Sequence, residues 1–354
     1  MRKVGRKALR NAGHTDEASR CYHRPPPAAF SLLNAKALDA LDSRPAMFDN
    51  RLQRALRSLD GLSIGDAFGE RFFGEPQDAL RRIQARLVPP GSWRFTDDTV
   101  MAISVVDVLA MNGFLNQSQL AHLFAKRYRL DPARGYGGIA HEILGRIAVG
   151  VPWEVAASAP FDGQGSMGNG GAMRAAPVGA YFSGDLSVVR EAAAASARIT
   201  HAHLDGQAGA VAVAIATAWM ADGGTEVAEL FESVLRHTPP GDTCSGIEIA
   251  SRLSLQTPPR EAAMLLGSGS RVIASDTVPY CIWSAAAHIG NYEEALWSTV
   301  SGLGDRDTTC AIVGGITAAH PGAALPESWL SARESLATFG PVWMEPSLAT
   351  AEDV

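Results

Sequence analysis

The chain has 354 residues, 46% of them hydrophobic, with Gly 35, Pro 20 and a formal net charge of −6. That length holds one large domain or two ordinary ones, and the composition excludes collagen-like and low-complexity classes. The acidic balance argues against nucleic acid as the main partner. Cys21, Cys244, Cys281 and Cys310 form no CxxC pair and no zinc spacing, so they read as reduced thiols of a cytoplasmic protein. No apolar run approaches the roughly 18–20 residues of a membrane span, and the start lacks the apolar stretch of a signal peptide, so no membrane association is expected.

In chain order, the first 24 residues hold seven Lys/Arg against Asp16 and Glu17, a charge of +5 that leaves −11 for the remainder. They end in Arg24-Pro25-Pro26-Pro27, which cannot be helix interior. Residues 1–45 therefore read as a basic extension, either a plain tail or a partner-binding arm, and 46–354 as the main domain. From about residue 50 the chain reads as helical throughout. Leu52, Leu56 and Leu59 share one face, followed by small residues around Gly61, Gly65 and Gly69. The run from Val100 places Ile103 and Val106 on one side and stops at Asn112-Gly113, a reasonable C-cap. Segments 120–128, 137–150, 185–199, 206–224, 227–238 and 292–300 fit amphipathic or buried helices. Convincing alternating strands are absent, and Ala and Gly inside the helices suit close backbone approach.

Two acidic stretches stand out. Thr96-Asp97-Asp98-Thr99 and Asp305-Arg306-Asp307-Thr308 each put two carboxylates and a hydroxyl just before an apolar helical run. Oxygen ligands of this kind suit Mg²⁺, Ca²⁺ or Mn²⁺ rather than zinc, and four carboxylates match two divalent cations. The plain alternative is helix capping, since Asp and Thr are good N-caps and acids in a first turn complement the helix dipole. Ser166-Met167-Gly168-Asn169-Gly170-Gly171 has the glycines and polar groups of a diphosphate or ribose cradle, or of an ordinary turn before a helix.

Six stretches in order resemble the ADP-ribosylglycohydrolase family, whose best-known bacterial member reactivates dinitrogenase reductase. They are Gly61–Gly69, Thr96–Met101, Gly135-Tyr136-Gly137-Gly138, Ser166–Arg174, Thr200-His201-Ala202-His203 and Gly304–Thr308. The resemblance implies an all-α, compact single-domain orthogonal multi-helix bundle with a binuclear metal cleft holding two Mg²⁺ or Mn²⁺. Thr96, Asp97 and Asp98 would ligate from one side, and Asp305, Asp307 and Thr308 from the other. Asp97 or Asp98 would orient the attacking water or carry its proton. Gly135, Tyr136, Gly137, Ser166, Gly168, Asn169, Gly170, Met173 and His201 would contact substrate, with Tyr136 on the adenine side. Arg174 reads as a buried structural partner, and Asp66 as a supporting residue or a helix-packing polar group. The implied reaction is hydrolysis of ADP-ribose from a modified protein side chain. Relatives specific for serine carry an extra metal-binding Glu where this chain has Phe73, with Glu70 three residues earlier, which points toward arginine. The last motif departs from a frequent Gly-Gly-Asp-Thr-Asp-Thr pattern at Leu303 and Arg306. An alternative role, suggested by the basic extension, is an immunity protein that occludes an ADP-ribosyltransferase toxin.

Overall fold

The computed structural model describes residues 46–340; the predicted extension 1–45 and residues 341–354 lie outside them. Among the described residues the protein is all-α, with sixteen α-helices, two short 3-10 turns and only two isolated bridges in place of sheet. The centre is α1 (Ala46–Glu70) packed along α15 (Arg306–Ala318). Gly61, Gly65 and Gly69, spaced four apart, form one stripe on α1. Gly61 faces Gly314 and Ala318, Gly65 faces the Cys310 carbonyl, and Gly69 faces the Arg306 carbonyl. The descending order makes the helices antiparallel. A methyl at any of these glycines would overlap its neighbour, so their absence of side chains permits the close approach.

Around this seam pack α3 (Asp97–Asn112), α7 (Ala176–Phe182), α9 (Leu204–Ala221), α13 (Ala274–Ala287) and α14 (Tyr292–Ser301). Helix α9 corrects one sequence expectation. Its 18 residues are apolar and long enough to cross a membrane by length and composition, but 78% of them are buried inside the protein. It is a core helix with nearly all of its circumference covered. Proline inside a helix ordinarily argues against one, yet Pro279 lies within α13, with Gly246 of α11 (Asp242–Arg252) making room for its ring.

An aromatic cluster closes the end of α1. Phe68 stacks on Trp329 at 4.6 Å and meets Phe72 and Trp297 edge-on at 4.9 and 5.0 Å. Trp93, fully buried, joins them and leads directly into α3. This cluster fixes the last turn of α1 against the segment that carries the first acidic stretch.

Candidate active site

The antiparallel seam brings the C-terminal end of α1 beside the first turn of α15, and the first turn of α3 packs against the same place. Asp66 of α1 is the link. Its buried carboxylate accepts from the N–H of Thr96 at 3.1 and 3.0 Å, from the N–H of Thr99 at 3.1 Å and from the Thr99 hydroxyl at 2.5 Å. It thus caps α3 from a neighbouring helix, satisfying N–H groups that an isolated helix leaves open. Burial still outweighs those bonds and pushes its pKa up to about 6.

Thr96 is itself the N-cap of α3, its hydroxyl accepting from the Asp98 N–H at 3.3 Å. It stands behind the cleft wall, buried, rather than on its surface. Asp97 and Asp98 do line the cleft, facing Asp305, Asp307 and Thr308 from the start of α15. Burial, then the charge of Asp66 and of Asp305, pushes Asp97 up to about 8. Burial and then the charges of Asp66, Asp307, Asp97 and Asp305 hold Asp98 well above the usual carboxylate range. Asp307 is raised by burial and by Asp305 and Asp66. Two stretches more than two hundred residues apart therefore meet within electrostatic reach.

The residues fit divalent cations. Asp98 Oδ2 and Asp307 Oδ1 are buried acceptors with no hydrogen-bond partner among the described residues, a costly state unless a cation or donor meets them. The donors are hard oxygens throughout. Among the described residues no three His, Cys, Asp or Glu side chains close on one point as a finished cage.

Opposite the carboxylates lies the glycine-rich turn, in a cleft of about 500 Å³. Ser166, Gly168, Asn169, Gly170 and Met173 line it, with Gly135 and Gly137 across from them. Gly135 holds φ +97, and a methyl there would press on Asp97 Oδ1 at 3.2 Å. Asn169 reaches over the cleft floor: its side-chain N–H donates to Asp305 Oδ2 at 2.8 Å and to Thr277 Oγ1 at 3.2 Å. Arg174 is structural. It is fully buried, its guanidinium donates to the carbonyls of Gly170 and Ser196 and to the Thr200 hydroxyl, and it lies over the Phe124 ring. His201 Nδ1 pairs with that same hydroxyl at 2.8 Å, while Nε2 faces Gly168 and Gly170. Burial, then the nearby Arg174 charge, pushes His201 down to about 3, so it is neutral.

Tyr136 requires a correction. Its ring is buried edge-on against Tyr128 at 5.2 Å and does not line the cleft, so the neighbouring glycines reach the cleft without it. The sequence reading also missed the opposite rim. Phe161, Arg271 and Val272 stand exposed at the cleft edge, and Phe161 and Val272 hold φ 57 and 56, a left-handed conformation costly for such residues. No short motif marks these positions; only the fold places them here. The two departures in the last acidic motif are now explicable in part. Arg306 donates to the Phe72 carbonyl at 2.6 Å and lies over the Phe73 ring at 5.1 Å. Leu303 takes φ 60, where glycine is the easier residue.

Comparison with known proteins agrees with the fold and the motifs. A family model described as ADP-ribosylglycohydrolase matches residues 47–350. ADP-ribosylhydrolase ARH3 of Homo sapiens is 30% identical over 327 residues, covering 78% of this chain and 88% of that protein. ADP-ribosyl-[dinitrogen reductase] glycohydrolase of Rhodospirillum rubrum is 30% identical over 158 residues, covering 42% of this chain and 52% of that protein. A solved structure titled ADP-ribosylglycohydrolase-related protein complex shares the fold with a TM-score of 0.59, at 24% identity, over 81% of this chain and 94% of that one.

Proposed function

The chain belongs to the ADP-ribosylglycohydrolase family, and from that premise we propose that it is a divalent-metal-dependent hydrolase releasing ADP-ribose from modified arginine side chains. The observation that carries the reading is the meeting of four carboxylates from two helix starts, across one cleft from a glycine-rich turn.

Asp97, Asp98, Asp305, Asp307 and Thr308 would hold two Mg²⁺ or Mn²⁺, with Thr96 contributing from behind. Such cations supply charge to fix the ribose hydroxyls and to acidify water. The chain's own residues do the rest. Asp66 fixes the start of α3 and Asn169 fixes Asp305, so the acceptor oxygens are held before substrate arrives. Asp97 or Asp98 takes a proton from water as its oxygen bonds to C1″ of the ribose. The C1″–N bond to the guanidinium breaks, and a proton returns to the departing nitrogen. The transition state carries positive charge on the sugar, which a carboxylate oxygen or bound water close to C1″ favours. Gly168, Gly170 and the neutral His201 line the side where the phosphates would lie, with Ser166 at the turn's start.

The arginine assignment is supported by Phe73, whose ring meets the Arg306 guanidinium where a serine-type site would present a carboxylate. A second reading, an oxygen-linked ADP-ribose such as that on serine, is favoured by Glu70 at the end of α1, an exposed carboxylate that stands among the charges of Arg71, Arg94 and Asp305. The toxin-occluding role rests on residues 1–45, outside the described residues. The test of the main reading is release of free ADP-ribose from an arginine-modified protein, followed by chromatography with Mg²⁺ and with EDTA. Release that persists in EDTA refutes the metal-dependent mechanism, and no release in Mg²⁺ refutes the activity.

A further inference from the structure

The cleft holds three basic side chains, and two of them are committed. Arg174 is buried among carbonyls and the Thr200 hydroxyl, and His201 is neutral and paired to that hydroxyl. The third, Arg271, is exposed at the rim, and its guanidinium has no hydrogen bond, ion pair or ring contact among the described residues. An unpaired cation on a mobile side chain is common on surfaces; the backbone beneath this one is not.

The turn that carries Arg271 is closed on itself and pinned from three sides. The Gly269 N–H donates to the Asp276 carbonyl at 2.8 Å, and the Arg271 N–H to Asp276 Oδ2 at 2.8 Å. The Val272 N–H donates back to the Gly269 carbonyl at 2.8 Å, with Val272 at φ 56. The far side of the turn bridges to the glycine-rich stretch: the Asn169 N–H donates to the Val272 carbonyl at 3.2 Å, and the Ala274 N–H to the Met167 carbonyl at 3.0 Å. On the near side, the Asp305 N–H donates to the Ser268 carbonyl at 3.0 Å. Arg271 is therefore fixed in register with both the cradle and the second acidic stretch. Strain of this kind persists where the surroundings over-determine it, and such sites are often functional.

The electrostatics of the cleft ask for a cation here. A diphosphate carries two negative charges, and two divalent cations at the cleft floor would already be balanced by Asp97, Asp98, Asp305 and Asp307, so the phosphates need a partner of their own where water is scarce. A planar guanidinium is suited to phosphate oxygens in a way a point charge is not.

We propose that Arg271 is a specificity-determining residue that binds the diphosphate of the ADP-ribosyl group at the cleft rim. The proposal rests on the reading of the cleft as an ADP-ribosyl site, and it names the residue that distinguishes a diphosphate-bearing substrate from a simple riboside.

The test is calorimetry of the full chain in Mg²⁺ with two probes, ADP-ribose and adenosine, on wild type, Arg271→Ala and Arg271→Lys. The alanine variant keeps the backbone bond to Asp276, and an unchanged melting curve confirms that it folds. Expected is a loss of about 10- to 100-fold in ADP-ribose affinity for the alanine variant, with part of it retained by lysine. Adenosine affinity is unchanged, and the salt dependence of ADP-ribose binding becomes shallower. In turnover, KM rises while kcat is largely kept. Equal ADP-ribose binding by wild type and the alanine variant overturns the proposal and leaves the family activity standing. Equal losses for both probes also overturn it, because the residue would then act through the turn. Wild type that binds neither probe removes the ADP-ribosyl reading and this proposal with it.

Discussion

Replacing Gly65 with alanine tests whether the α1–α15 seam sets the site. The added methyl would sit well inside contact with the Cys310 carbonyl oxygen, which is backbone and cannot rotate aside. Carbon-to-oxygen contacts relax at about 3.3–3.6 Å, so the helices must part by roughly 1 Å. Overpacking of this kind costs about 1–3 kcal/mol, a fall in Tm of roughly 1.5–5 °C for a protein of this size. The functional cost should be larger in proportion. Asp66 lies one residue further along α1, while Asp305 and Asp307 begin α15, so the same displacement spreads the carboxylates. A misplacement near 1 Å can cost about a hundredfold in rate. The control is Gly145→Ala in α5 (Gly138–Ala148), where nothing lies within 4 Å and alanine should be neutral or stabilising by about 0.4–1 kcal/mol. Thermal melts and ADP-ribose release on both variants decide the matter. A Gly65→Ala protein that melts and turns over like wild type would show that the seam has slack and does not set the ligand spacing.

Three further outcomes are expected. Asp97 and Asp98 have folded-state pKa values raised above their unfolded values, so the folded state holds more protons and stability falls as pH rises from about 4 through about 8. Metal-stripped protein should thus melt higher at pH 5.5 than at pH 8, Mg²⁺ should restore the loss, and Asp98→Asn should flatten the profile while abolishing turnover; a pH-independent melt of stripped wild type contradicts this. Offered arginine-, serine- and cysteine-linked ADP-ribosyl proteins side by side, the enzyme should cleave the arginine conjugate fastest, and faster release from serine would move the assignment to the Glu70 reading. Deleting residues 1–45 should leave turnover on a small modified-arginine substrate intact, because the described cleft residues all lie beyond them; lost turnover in a folded truncation would place the extension in the site.

Much of the site could be read from residue types because its ligands are clustered in short motifs. Asp97, Asp98, Asp305 and Asp307 each sit at a helix start, where capping preference and ligand chemistry ask for the same residues. The motif could not reveal that the Thr96 hydroxyl also accepts the Asp98 N–H from a buried position behind the cleft wall. Nor could it show that Tyr136 turns inward onto Tyr128 while its flanking glycines face outward. Both depend on side-chain direction, which spacing alone does not fix. The rim escaped for a different reason: Phe161, Arg271 and Val272 are brought to the cleft by loops paired across more than a hundred residues. Helix α13 runs through Pro279, a local prohibition that tertiary packing overrides.

The seam also has a consequence for how the protein comes to exist. The Ser58 hydroxyl of α1 donates to the Gly315 carbonyl of α15 across a sequence separation of 257 residues. Closing so long a loop is entropically late, and contacts of this range slow folding. During synthesis α1 emerges first and must wait for nearly the whole domain before its glycine face finds a partner. The acidic centre cannot assemble before the last long helix is made. A nascent chain that has not yet reached α15 therefore has no assembled carboxylate cluster.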